Sequence, residues 1–247
     1  MRRSALRAFA CHGVVLVWLL GVAAHFGWIA NTGAILGVAA YLAVAVLAWR
    51  PLLSGHPHAR FGAANVITLI RATAVVLLGS LLGGPELSAP AGHAVSTCAL
   101  LLIALDGLDG TIARRTGLAS PFGARFDMEI DALTILVLGA LLVAQGRIGP
   151  WALAAGSLRY LMLAAAWIWP WLAMPLPESD LRRAICVVLG LSLALAINPI
   201  VPVWLARPLV AIGLAAVTYS FARDVVWLRR RRAVSATPLS GRSCGSC

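Results

Sequence analysis

Nine acidic residues occur in the chain, and five of them (Asp106, Asp109, Asp127, Glu129 and Asp131) fall within 26 residues. The other four are Glu86, Glu178, Asp180 and Asp224. The crowded window reads DGLDGTIARRTGLASPFGARFDMEID. On a helix, Asp106 and Asp109 are three residues apart and share a face. Gly117, Pro121 and Gly123 then break the helix and turn the chain back. Asp127 and Asp131 are four apart and share a face of the next helix. The hairpin brings the two pairs together, while Glu129 points away and is left out of the site. Four carboxylates this close do not all stay ionised without cations. A hard divalent ion answers that need: Mg²⁺ takes oxygen ligands, commonly a few carboxylates plus substrate phosphates. Two such ions about 3.5–4 Å apart clamp a phosphoryl group during displacement. Gly107, Gly110 and Gly123 leave room for a bulky phosphate to approach the backbone, and Arg114 adds charge toward a diphosphate. The competing reading is that these acids pair with Arg114, Arg115 and Arg125.

The elements that must position these residues are membrane helices. Of 247 residues, 61% are hydrophobic and 12% charged, and the mean hydropathy is +0.90. So few charges cannot cover a water-soluble surface, and disorder is excluded for the same reason. All 20 basic residues are Arg and the net charge is +11. In a soluble protein that excess would suggest nucleic acid; here it reads as Arg at helix ends, meeting anionic headgroups and setting topology.

Eight apolar stretches approach the length of about 20 residues that crosses a bilayer. They run at roughly 11–29, 33–49, 65–83, 92–113, 127–145, 150–172, 184–200 and 204–227. The first is too long and uninterrupted for a typical signal peptide. With eight spans, Arg2, Arg3, Arg7, Arg50, Arg60, Arg114, Arg115, Arg125, Arg182, Arg183 and Arg229 to Arg232 all fall on one side. Arg147 and Arg207 are the exceptions. The positive-inside rule then places both termini and the carboxylates at the cytoplasmic face. Residues 51–64 read as a breaker-rich linker. The division predicted is an N-terminal transmembrane hairpin and linker over 1–60, a functional core over 61–228 and a basic, disordered cytoplasmic tail over 229–247. The fold class is all-α: a polytopic membrane helix bundle with a six-helix catalytic core and a two-helix N-terminal extension.

The window resembles the signature of the CDP-alcohol phosphatidyltransferases, D-x2-D-G-x2-A-R-x7or8-G-x3-D-x3-D. Asp106, Asp109, Gly110, Ala113 and Arg114, then an eight-residue gap, then Gly123, Asp127 and Asp131 match all eight fixed positions. The resemblance implies transfer of a phosphatidyl or phospho-alcohol group from a CDP-linked donor to an alcohol, with release of CMP, in phospholipid biosynthesis. It implies two divalent ions, Mg²⁺ or Mn²⁺, held by Asp106, Asp109 and Asp127. Asp131 would deprotonate the attacking hydroxyl and also touch the second ion. Gly110 and Arg114 would contact the CDP portion, with Ser120 beside the diphosphate. The N-x-x-T that family members carry near the first core helix is met by Asn65 and Thr68, and Arg71 extends it along the same face. These are donor contacts by resemblance, and Asn65 is also a candidate helix N-cap. The resemblance further implies a homodimer with a site in each protomer. The location expected is the bacterial inner membrane, with CDP-diacylglycerol, a small alcohol and membrane lipids as partners and no nucleic acid.

On the acceptor side, Arg159 lies inside an apolar span, where an arginine is costly and points to a polar cavity. It reads as an anion contact, or else as a snorkelling or carboxylate-paired Arg. Arg182 and Arg183 read as acceptor contacts or as topology markers. Together they favour an anionic acceptor such as glycerol 3-phosphate, with serine also admissible. A CDP-linked headgroup transferred to diacylglycerol is the alternative. An aspartate-rich membrane prenyltransferase is disfavoured because its two motifs lie far apart in sequence. A cation transporter would place its carboxylates near mid-membrane. His56 and His58 read as a solvated loop. Trp28, Trp49, Trp151, Trp204 and Trp227 read as interface anchors. Cys11, Cys98 and Cys186 read as free thiols, and Cys244 and Cys247 as a reduced pair too few to close a zinc site.

Overall fold

The structure is a computed structural model that describes residues 2–55, 61–116, 120–177 and 179–235. The described residues form eight α-helices: α1 Arg2–His25, α2 Asn31–Gly55, α3 Ala63–Gly79, α4 Ala89–Thr116, α5 Pro121–Ala144, α6 Leu153–Ile168, α7 Asp180–Ile197 and α8 Val203–Ser235. Short 3₁₀ turns at Pro150–Ala152 and Pro170–Ala173 flank α6. No strand occurs among the described residues.

Five helices are long and apolar enough to cross a membrane, over Arg3–His25, Asn31–Trp49, Ala89–Gly107, Pro150–Ile168 and Val203–Arg232. The other three fall short for visible reasons. The helix α3 is apolar but only 17 residues long. The first turns of α5 carry Arg125, Asp127, Glu129 and Asp131, and those of α7 carry Asp180, Arg182 and Arg183. The chain is a polytopic membrane helix bundle. Trp18, Leu47, Trp167, Ile200 and Ile212 are exposed on its outside, where bilayer hydrocarbon takes the place of a protein neighbour.

Two packed regions divide the interior. One joins α3 to α8 through Val75, Leu102, Leu138, Leu142, Leu189, Leu193 and Val210. The other joins α1 and α2 to α3 and the start of α5 through Phe9, Leu16, Leu20, Tyr41, Leu69, Phe122 and Phe126. Lipid is as apolar as leucine, so helices here associate by close packing and hydrogen bonding rather than by escape from water. The helix α6 shows the close packing: a Cβ on Gly156 would lie 2.5 Å from the Leu136 Cα, so α5 and α6 meet backbone to backbone. Tyr41 shows the hydrogen bonding, its hydroxyl donating to the Phe9 carbonyl at 2.7 Å and fastening α2 to α1.

Arg147, an exception to the charge pattern, has a structural use. Its Nε donates to the Ala196 carbonyl at 2.7 Å and its Nη2 to those of Asn198 and Val201 at 3.1 and 2.6 Å. The last carbonyls of a helix lack partners within it; Arg147 supplies one for α7, at Ala196, bonds the carbonyls of its C-cap Asn198 and of Val201 beyond, and places a cation at the negative end of the helix dipole.

The boundaries expected for the linker and the tail differ from those observed. The linker expected from residue 51 begins later, because α2 continues through Pro51 to Gly55. A proline forfeits one helix hydrogen bond, and here the loss falls in the last turns, where pairing is already incomplete. The tail expected from residue 229 also begins as helix, because α8 runs on to Ser235. Its arginines find aromatic faces there: Arg231 lies 5.0 Å from the Trp227 ring centre and Arg232 lies 5.9 Å from that of Trp171. His56, His58, Cys244 and Cys247 lie outside the described residues, whereas Cys11, Cys98 and Cys186 are free thiols.

Candidate active site

The start of α5 is specified locally. Ser120 is its N-cap in extended conformation, accepting a hydrogen bond from the Gly123 amide at 3.0 Å, and Pro121 occupies the first turn. Both residue types are favoured there. This fixes the helical phase, so Asp127 and Asp131 emerge one turn apart on one face. Asp106 approaches from α4. One carboxylate oxygen from each of Asp106, Asp127 and Asp131 can be chosen so that all lie within 4.8 Å of one another.

The partner of this trio is Arg71 of α3. Its Nη1 lies 2.9 Å from Asp106 Oδ1 and 2.6 Å from Asp127 Oδ1, and its Nη2 bonds Asp131 Oδ1. Arg71 is 2% exposed, whereas the three carboxylate side chains are 24, 31 and 39% exposed. The guanidinium is thus the closed floor of the site, and the carboxylates face its open side. Among the described residues this sets one cation against three anions, an excess of negative charge that favours further cations.

Asn65 and Thr68 precede Arg71 on the same face of α3 and are buried. The N-cap of α3 is Gly62, not Asn65. Asn65 Nδ2 donates to the Phe61 carbonyl at 2.5 Å and Thr68 Oγ1 to the Ala64 carbonyl at 3.2 Å. The Asn65 Oδ1 lies beneath Gly123, where an added Cβ would come within 2.7 Å of it. The space beside Gly123 therefore serves the approach of α5 to α3. At Gly107 a Cβ would meet nothing within 4 Å, so that side of α4 is open. Asp109, Gly110 and Arg114 lie on α4, but their side chains lie outside the described residues.

The acceptor candidates separate. Arg159 of α6 bonds Glu129 Oε1, and its Nη1 lies 2.9 Å from Met128 Sδ. Glu129 is two residues from both Asp127 and Asp131, about 200° around α5 from each. The structure therefore does not join Arg159 to the three aspartates through α5. Its Nε is buried without a hydrogen-bond partner among the described residues. Arg182 Nη1 donates to Asp224 of α8 at 3.2 Å, and its Nη2 donates to the Pro177 carbonyl. Arg182 is thus engaged by α8 and by the segment before α7. Arg183 is exposed.

The meeting of Arg71 with three acids was not read from the sequence, which placed Arg71 among the donor contacts. A signal existed: an arginine inside an apolar helix that carries no acid of its own must take its partners from other helices.

The sequence profile of the CDP-alcohol phosphatidyltransferase family matches residues 61–222. The chain belongs to this family. It is thus a transferase for substituted phosphate groups, acting in phospholipid synthesis within a membrane. No curated protein and no solved structure matches it. The family is divalent-metal dependent, and the residues present fit that requirement: three oxygen donors converge, and hard oxygen ligands are those Mg²⁺ and Mn²⁺ take. CDP-alcohol phosphatidyltransferases transfer the substituted phosphate of a CDP-alcohol to an alcohol acceptor and release CMP, and the profile begins at Phe61, just before α3. The helices α1 and α2 precede it.

Proposed function

We propose that this enzyme transfers the phosphatidyl group of CDP-diacylglycerol to a small anionic alcohol of the glycerol 3-phosphate type and releases CMP. The observation that carries the reading is the convergence of Asp106, Asp127 and Asp131 from two helices. Asp106, Asp109, Asp127 and Asp131 would hold two divalent ions, which when bound neutralise the diphosphate and polarise its phosphoryl oxygens. Asp131 accepts the proton of the acceptor hydroxyl. That oxygen bonds to the phosphorus bearing diacylglycerol, and the bond from this phosphorus to the oxygen of the CMP phosphate breaks. Asn65, Thr68, Gly110, Arg114 and Ser120 line the CDP portion, next to the N-terminus of α5, whose dipole favours an anion.

Arg182 and Arg183, basic residues at the start of α7, favour an acceptor carrying its own negative charge. Arg159, a cation inside an apolar helix, is assigned to the acceptor with them. The arginine distribution orients the carboxylates and both termini toward the cytoplasm, in a bacterial inner membrane. The protein works as a homodimer with one site per protomer. Residues 61–228 form the catalytic core, with 1–60 as an appended hairpin and 229–247 as a tail.

The test is CMP release by the purified protein with Mg²⁺ or Mn²⁺, CDP-diacylglycerol, and glycerol 3-phosphate, serine or an inositol phosphate in turn. Release with glycerol 3-phosphate supports the reading. Release with serine alone refutes the phosphorylated acceptor, and release only from a CDP-linked headgroup with diacylglycerol reverses the donor assignment.

A further inference from the structure

We propose that Arg71 is a positioning residue for the metal-binding carboxylates, a permanent counter-ion beneath them and not a contact for the CDP donor. The inference rests on the reading of Asp106, Asp127 and Asp131 as metal ligands. Its ground is the exposure gradient across the site. Arg71 is 2% exposed and bonds all three acids, which are themselves 24 to 39% exposed. A guanidinium buried this deeply inside a membrane bundle has no water to move into. Leaving three anionic partners would strand a desolvated charge, a far larger penalty than keeping the bonds. Arg71 therefore stays where it is when a cation arrives.

Its bonds do not exhaust the acids. An ionised carboxylate has two oxygens and about four lone-pair sites. Arg71 engages an Oδ1 on each, so a cation can be met by the same carboxylates from their exposed side. The planar fork matters as well as the charge. One nitrogen spans Asp106 of α4 and Asp127 of α5 while the other takes Asp131. A single arginine thereby sets the separation of the two helices that supply ligands. Lysine, a point charge on a flexible stem, cannot span three acids in this way.

The experiment is Mn²⁺ binding to the full-length protein in detergent, without nucleotide or lipid substrate, followed by the loss of the free-ion paramagnetic signal. Partners that orient metal ligands typically contribute about 10- to 100-fold in affinity. Arg71→Met is expected to weaken Mn²⁺ binding within that range, and Arg71→Lys by about tenfold while retaining the charge and the fold. Wild-type affinity in folded Arg71→Lys overturns the proposal. Tighter binding in either variant also overturns it, since it would mean that Arg71 competes with the ion for the same oxygens. A donor contact would leave metal-only affinity unchanged and weaken CDP binding alone. Asp127→Asn serves as the control: if it does not weaken Mn²⁺ binding, the metal reading of the carboxylates has failed instead.

Discussion

A Cβ placed on Gly123 would stand 2.7 Å from the Oδ1 of Asn65, which is held in turn by its hydrogen bond to the Phe61 carbonyl. The glycine of the signature is thus the point where α5, carrying two aspartates, closes on α3, carrying Arg71. Gly123→Ala should destabilise the protein by about 1–3 kcal/mol, the usual range for overpacking, and lower turnover by displacing Asp127. Adding Asn65→Ala should restore most of the thermal stability without restoring activity. A thermal unfolding series in detergent checks this; a fully stable, fully active Gly123→Ala would show that the contact gives way freely.

Arg159 and Glu129 form an ion pair on another side of α5, and two variants separate its possible uses. If Arg159 binds the acceptor, Arg159→Met raises the acceptor KM about tenfold or more, as loss of a charge-assisted hydrogen bond would. Glu129→Gln, which leaves the arginine in place, should not raise it. Equal loss of stability in both variants with KM unmoved would make the pair structural.

Phe9 of α1 reaches the aromatic group that backs the site. Its ring lies 5.8 Å from that of Phe61 and 6.2 Å from that of Phe126. Phe126 in turn stacks on Phe122 at 5.5 Å, immediately before Asp127. Phe9→Ala should cost about 3 kcal/mol, as for other buried aromatics, and should lower turnover through the N-terminal part of α5. Tyr41→Phe removes one buried hydrogen bond between α1 and α2, worth about 1 kcal/mol, and should leave turnover near wild type. Unfolding midpoints and initial rates of the two variants decide whether the first two helices buttress the site.

What the sequence made legible was local. The spacing of Asp127 and Asp131 follows from periodicity, and eight helices are present among the described residues, whereas Pro121 and Gly123, expected to break the helix, lie in the first turn of α5. What it hid was relational. Arg71 meets Asp127 across 56 positions, and no spacing rule announces a bond of that range. Arg147 looked like an exception to the charge pattern until the carbonyls of Ala196, Asn198 and Val201 showed what it holds. Arg159 carried two readings, and only packing brought Glu129 to it. The ends of α2 and α8 were placed too early because hydropathy marks where the lipid ends, while a helix continues as long as its backbone bonds do.

The most direct test of the central claim is the rate of CMP release from CDP-diacylglycerol and glycerol 3-phosphate by wild type and Asp127→Asn at equal, folded concentration. Each is assayed with saturating Mn²⁺ and after chelation. The account predicts metal-dependent release by wild type, none after chelation and recovery on adding Mn²⁺ back. Loss of a ligand should exceed the cost of losing an outer-shell partner, so Asp127→Asn should fall by more than about 100-fold. Equal rates in the two proteins, or release that survives chelation, would contradict it.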